Sequence, residues 1–366
     1  MKALAVWPDR RSSGLVDHPA PSPSTPSDVT LRMLEVGVCG TDREIAAFEY
    51  GTPPEGSPYL VIGHESLAEV TAAGPGAAGF APGQLVVATV RRPCPDPECD
   101  ACRAGRQDFC RTGDYRERGI KGAHGFMTET VVEDARWLVP VPAGLRDVAV
   151  LVEPLTIAEK ALLELSAMQD RMPWHAAAGR DWHAVVLGGG PVGLLGAMAF
   201  RAAGYRVTLV SKQPATDARA NLLAAIGGAY VSAERASLTD LVAGLGRVDV
   251  IYEATGAAPP AFEALEALGP NGMFVFTGVP GRKGTPDVDG GLLMRSLVLG
   301  NKLAFGTVNA GRDAFERAVD DLGRFMARWP DAVRALITAR VPLAQAAATL
   351  AASPAGIKTV VQIAGS

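Results

Sequence analysis

Apolar residues along this chain fall into two rhythms. In "WHAVVLGGGPVGLLGAMAFRAAGYRVTLVSK" (Trp182–Lys212), a short unbroken apolar run, Ala184–Leu187, gives way to glycines. A longer stretch of Ala, Leu, Met and Phe follows and stops at Gly204, and a second short run spans Arg206–Ser211. Short runs bounded by glycine predict buried strands, and the longer stretch predicts a helix. "VDVIYEATGA" (Val248–Ala257) and "GMFVFTGVPG" (Gly272–Gly281) predict further strands, each ending in a glycine turn. Pro260–Leu268 predicts a helix between them, and "SLVLGNKLAFGTVNA" (Ser296–Ala310) a last strand leading out. Strands alternating with helices predict a parallel, doubly wound sheet.

The flanks read differently. Residues 1–154 are short strands punctuated by proline and glycine, beginning with a strand that ends at Pro8. Leu155–Met168 predicts a linking helix, leading into the loop "QDRMPWHAAAGRDW". After the last sheet strand come a helix around Phe315–Arg328 and a closing strand in "IKTVVQIAG", a tail that can return to the first domain. No repeats occur, and "PAPSPSTPS" (Pro19–Ser27) is the one low-complexity stretch. At 366 residues the chain exceeds the roughly 250–300 at which a single core stops growing, so two domains are expected.

Charge narrows the function. A formal net charge of −4, from 35 basic and 39 acidic residues without a block of like charge, offers no footprint for nucleic acid or an anionic membrane. The N-terminus lacks the apolar core of a signal peptide. The longest uncharged run, Ala184–Phe200, is broken by Gly188, Gly189, Gly190 and Pro191 and is not a membrane span. The expectation is a cytoplasmic protein, where clustered cysteines more often bind metal than form disulfides.

That matters for "RRPCPDPECDACRAGRQDFC", which places Cys94, Cys99, Cys102 and Cys110 within seventeen positions. Cys99-Asp-Ala-Cys102 supplies a tight knuckle, and the flanking prolines and Gly105 favour turns. Four thiolates fill a tetrahedral zinc shell and leave no open position, so such an ion would hold a lobe together and do no chemistry. The competing reading is four reduced thiols without metal.

The fifth cysteine, Cys39, follows a strand that runs into a glycine turn. By itself it reads as a small buried hydrophobe. His64 and Glu65 follow an apolar run and Gly63, and Glu153 stands between another apolar run and Pro154, where a helix begins. Each residue alone reads as structural. A Cys, a His and a Glu at apolar strand ends can also meet at one point, and three protein ligands plus water is the open arrangement of catalytic zinc.

The glycine turn carries the most specific signal. Gly188-x-Gly190-x-x-Gly193 follows a strand and opens a helix, the context a dinucleotide fingerprint requires. Gly188 allows the turn, Gly190 lets the backbone approach the pyrophosphate, and Gly193 permits close packing of helix on strand; Pro191 and Val192 open the helix whose N-terminus faces the anion. The second strand ends in Ser211 and Lys212 where NAD enzymes place Asp or Glu, a pair suited to the 2′-phosphate of NADP or to dual use with NAD. Beyond the carboxyl ends of the later strands, Thr255, Gly256, Gly278 and Val279 are candidates for the nicotinamide end.

With these elements in this order, the chain resembles the zinc-containing medium-chain dehydrogenase/reductase superfamily over essentially its full length. Within it, "VCGTD", "GHE", "VVATVRRPC", "GRQDFC", "RGIKGAHGFMTE", "LVEPLTIAEKA" and "GTVNA" look most like the glucose 1-dehydrogenase branch. The resemblance implies an α/β protein: a GroES-like β-rich catalytic domain (1–154 and 308–366, with a structural-zinc lobe at 91–111) and a Rossmann domain (155–307). It implies Cys39, His64 and Glu153 as catalytic zinc ligands, Glu65 as alternate ligand or outer carboxylate, and Thr41 against substrate or nicotinamide. Thr89, Asp114 and Asn309 fall where relatives contact sugar hydroxyls, with Asn309 also beside the coenzyme. His124 either joins that pocket or is exposed. The implied reaction oxidises an aldose such as D-glucose at C1 to the aldonolactone with NADP or NAD, in a homodimer or homotetramer. A polyol, threonine or alcohol dehydrogenase and a catalytically silent nucleotide binder are the alternatives. Asp114 stands where relatives carry Glu, and Thr89 where they carry Asn. Ala68 replaces a usual Gly, Gln84 a usual Asp, and the Cys-x4-Cys opening of the lobe is two residues longer than the usual gap.

Overall fold

The computed structural model describes residues 1–172, 182–234, 238–281 and 287–363. The chain divides into two compact units. One comprises Met1–Thr156, Asn309–Met326 and Leu336–Ser366; the other comprises Ile157–Val308 and Ala327–Ala335.

The first unit is β-rich. Its first strand, Lys2–Trp7, stops before Pro8 and pairs with Ser12–Asp17 and Leu60–Val61. The main sheet is built around Asp28–Gly37, which is buried along almost its whole length. Glu65–Ala73 and the C-terminal strand Lys358–Gln362 flank it, and Thr130–Asp134 pairs with its first half. The tail does return to this unit: Val360 sits opposite Gly37. The helix Arg312–Arg328 buries Phe315, Ala318, Val319, Leu322 and Phe325, the three- and four-residue spacing of one helical face.

The second unit holds a six-stranded parallel sheet. Its strands lie in the spatial order Ala229–Ser232, Arg206–Ser211, His183–Leu187, Val250–Glu253, Met273–Phe276, Leu303–Gly306. The order reverses at His183–Leu187, the first strand, which is buried on both faces, as its unbroken apolar run requires. Val185, Leu187, Val210, Ile251 and Phe274 form a core with Ala261, Ala264 and Leu265 of the helix Ala258–Glu266.

Three local expectations change. Residues Ser296–Gly300, read as strand, close the helix Gly290–Gly300; Asn301, at φ 48°, ends it, and the strand is Leu303–Gly306. Cys39 leads into a short helix, Gly40–Ala46, in place of a glycine turn. The linking helix is longer, Val152–Gln169, and takes Glu153 into its first turn. Most of the loop that follows, residues 173–181, lies outside the described residues. No helix among the described residues is long and apolar enough to cross a membrane.

Candidate active site

Two turns of the first unit deliver a candidate metal-ligand set. One is the end of the strand Asp28–Gly37, where Cys39 caps the helix Gly40–Ala46. The other carries His64 just before the strand Glu65–Ala73. Gly63 makes the second turn at φ 91°, and a Cβ there would lie 2.6 Å from Met127 Cγ, so only glycine fits. Asp42, fully buried, joins the turns: Oδ2 accepts the Cys39 N–H at 2.9 Å and Oδ1 the Gly63 N–H at 3.1 Å. The ligand atoms of Cys39, His64 and Glu65 all lie within 4.8 Å of one another.

A thiolate, an imidazole and a carboxylate suit zinc. The His64 Nδ1 atom is buried 3.5 Å from the Asp42 carboxylate without a hydrogen bond to it, and a cation at the site would take the place of the proton that the ring otherwise holds. Burial works against a charged His64 ring, but Asp42 and Cys39 outweigh it and hold its pKa well above the ordinary value. Glu153 is outside the tight trio, yet its charge acts on it. Burial pushes its carboxyl up to about 7, against the pull of His64 and Lys358 and with the help of Glu65 and Asp42.

The cysteine lobe is a second cluster. The ligand atoms of Cys94, Cys99, Cys102 and Cys110 also lie within 4.8 Å of each other, and none is in a disulfide. The knuckle forms the helical turn Asp100–Arg103. Backbone N–H groups of Arg111 and Cys102 draw the Cys99 thiol down. For Cys110, burial is outweighed by the Thr112 hydroxyl and the N–H groups of Thr112 and Gly113, and its pKa falls to about 6. Burial and the neighbouring sulfurs push Cys102 up to about 12. Thiolates favoured by backbone donors, beside one that is not, are what a soft divalent cation would stabilise together.

The other sequence candidates sit as follows. Thr41 is partly exposed in the helix that Cys39 caps. Thr89 is buried, with Oγ1 3.3 Å from Arg92 Nη1. Asp114 is exposed on its loop, its N–H donating to Thr112 Oγ1. The acidic side chain set against Asn309 is Glu117: Asn309 Nδ2 donates to Glu117 Oε1 at 3.1 Å, and Arg91 pairs with the same carboxylate at 3.0 Å. Glu117 carries no signal in the sequence, where it looks like an ordinary charge within "RERG". His124 is neither exposed nor idle. It stacks on Tyr59, meets His18 edge-on and accepts the Val61 N–H at 3.1 Å.

In the second unit the glycine loop has the expected form. Gly188 sits at φ 109°, and Gly193 packs so closely that a Cβ would lie 2.0 Å from the Gly188 carbonyl. Around Gly190, by contrast, a Cβ would meet nothing within 4 Å. Pro191 and Val192 open the helix Pro191–Ala202. At the end of the second strand Ser211 is buried and its hydroxyl donates to Gln213, while Lys212 is exposed. Arg219, not foreseen, donates to the Gly189 carbonyl at 2.7 Å and pairs with Asp217 at 2.8 Å. Glu253 gathers the far loops: its carboxylate accepts the N–H groups of Thr255, Gly256 and Gly278. Val279 is largely exposed.

Residues 25–143 match the alcohol dehydrogenase GroES-like domain, and residues 146–363 match the glucose dehydrogenase C-terminus. Glucose 1-dehydrogenases of Methanocella arvoryzae and Thermoproteus tenax are each 40% identical to this chain, over 99% of both partners in each comparison. The structure of Haloferax mediterranei glucose dehydrogenase in complex with NADP, Zn and gluconolactone superposes with a TM-score of 0.88 at 31% identity, covering 100% of each chain. The chain therefore belongs to the glucose 1-dehydrogenase family of zinc-containing medium-chain dehydrogenases.

Proposed function

We propose that this chain oxidises an aldose, D-glucose first among candidates, at C1 to the aldonolactone, with NADP preferred over NAD as hydride acceptor. The observation that supports this most is the meeting of Cys39, His64 and Glu65 within 4.8 Å. It occurs in a chain whose full-length relatives are glucose 1-dehydrogenases. In this reading Cys39 and His64 hold a catalytic zinc with one of two carboxylates, Glu153 or Glu65. Cys94, Cys99, Cys102 and Cys110 hold a structural one. The catalytic zinc, when bound, supplies Lewis acidity toward the anomeric hydroxyl, and bound NADP the hydride acceptor.

The chain's own groups do the rest. Whichever of Glu153 and Glu65 does not hold the zinc is suited to take the hydroxyl proton; burial pushes the Glu153 carboxyl up to about 7. Thr41 hands that proton outward. Thr41, Thr89, Asp114, Glu153 and Asn309 serve the sugar hydroxyls, the last also the coenzyme. Gly188, Gly190, Pro191, Val192 and Gly193 hold the pyrophosphate, Ser211 and Lys212 the adenosine 2′-phosphate, and Thr255, Gly256, Gly278 and Val279 the nicotinamide end. The catalytic domain takes 1–154 and 308–366, with its structural-zinc lobe at 91–111, and the coenzyme domain 155–307. A cytoplasmic homodimer or homotetramer is the expected form, in keeping with the exposed Leu292, Met294, Val298 and Leu299 on the helix Gly290–Gly300.

The test is the initial rate of NADP and NAD reduction with D-glucose, other aldoses, polyols and primary alcohols. Lactone formed from an aldose, faster with NADP, is the expected result. Turnover confined to polyols or alcohols, or none at all, overturns the reading.

A further inference from the structure

Lys358 begins the C-terminal strand, yet its side chain ends beside the metal-ligand set. Its buried ammonium donates to the Val38 carbonyl at 3.0 Å and pairs with the Glu65 carboxylate. The same strand grips Val38 from the other side, the Val38 N–H donating to the Thr359 carbonyl at 2.9 Å. Val38 precedes Cys39 and Glu65 follows His64. One cation therefore ties down both turns that carry the ligands. Strand register allows this: Gly37 lies opposite Val360 on one side and opposite Glu65 on the other. Gly37 also supplies the room, because a Cβ there would lie 1.9 Å from Glu65 Oε2 and 3.0 Å from Lys358 Cε. An apolar side chain could fill the same space but could bond neither the carboxylate nor the carbonyl.

We infer that Lys358 is a positioning residue of the metal centre, fixing Glu65 and the Cys39 turn and so setting how tightly the site keeps its ion. The inference rests on the reading of Cys39 and His64 as a zinc site. Groups that orient metal ligands typically change affinity by about 10–100-fold when removed.

The test uses the full chain loaded with zinc, titrated with a chromophoric chelator, in wild type, Lys358→Met and Lys358→Arg. Lys358→Met is expected to weaken one of two ions by about 10–100-fold and to leave the cysteine-lobe ion unchanged as an internal reference. Lys358→Arg is expected to restore most of the loss. Wild-type affinity for both ions in a cooperatively unfolding Lys358→Met protein overturns the inference while leaving the zinc reading intact. A wild-type chain that holds the lobe ion alone overturns both. Should Lys358→Met fail to fold, Gly37→Ala carries the same expectation, since it displaces the pair without removing its charges; unchanged retention there is equally fatal.

Discussion

Asp42 accepts the backbone N–H of Gly63 at 3.1 Å through one carboxylate oxygen, and the other oxygen accepts that of Cys39. The two turns that carry Cys39 and His64 thus share one buried clasp. Asp42→Ala strands two N–H groups, each costing about 1–3 kcal/mol when buried without a partner. The denaturant midpoint should fall with little change in slope, and activity should be lost with it. Asp42→Asn, which keeps one acceptor, should lie between. An unchanged midpoint in the alanine variant would show that the clasp carries no weight.

Gly190 and Gly193, three positions apart, differ in what a side chain there would meet. At Gly193 a Cβ would strike the Gly188 carbonyl, whereas at Gly190 it would enter open space. Gly193→Ala should therefore destabilise the second unit by about 1–3 kcal/mol, as overpacking does. Gly190→Ala should melt like wild type and bind NADP more weakly, because that open space is where a pyrophosphate approaches. Thermal melts paired with NADP titrations separate the two; equal melting and equal binding in Gly190→Ala would remove the proposed phosphate site.

Coenzyme choice should turn on the end of the second strand. Ser211→Asp introduces the carboxylate that accepts from ribose hydroxyls and repels a 2′-phosphate. The ratio of kcat/KM for NADP over NAD should drop by at least about tenfold, on the order of 1.4 kcal/mol. Lys212→Ala should move it the same way by less. A ratio unaffected by both would place recognition of the 2′-phosphate elsewhere.

Acid should weaken the first unit through His124. Burial first, then His18 and Arg118, lower its pKa to about 4. His18 is lowered by burial, the N-terminal ammonium and Arg118. Both rings are neutral in the native state, and His124 Nδ1 accepts the Val61 N–H at 3.1 Å. In the unfolded chain they gain protons below about 6.5. Their contribution is therefore complete above that pH and is lost as the pH falls from about 6.5 toward 4. Asp134, held down to about 2 chiefly by Arg136, adds its own loss at lower pH. Unfolding measured from pH 7.5 to 4.5 should slope downward, and His124→Asn, whose side-chain oxygen can still accept from Val61, should flatten it. Parallel curves for the two proteins would contradict the assignment.

Much of this was legible in the chain. Arg206–Ser211 and the amphipathic helix after Arg312 follow from local apolar spacing, and the glycine loop from a motif whose flanks agree with it. Ser296–Gly300 misled because a short apolar run suits a helix end as well as a strand. Asp42, Glu117 and Lys358 gave no signal, since each is one charged residue among many until distant strands fold against it. Lys358 meets Val38 across 320 positions, and no local pattern encodes that. Asp114 fits the family pattern, while the carboxylate bonded to Asn309 is three residues further on, at Glu117.

The proposed function requires that Cys39 belong to a catalytic metal centre distinct from the cysteine lobe. Zinc per chain, measured beside glucose-dependent NADP reduction in wild type, Cys39→Ser and Cys99→Ala, tests it most directly. Two equivalents in wild type, one in Cys39→Ser with activity abolished, and one in Cys99→Ala with most activity kept is the predicted result. Cys39→Ser protein that holds two equivalents and oxidises glucose at the wild-type rate would contradict it.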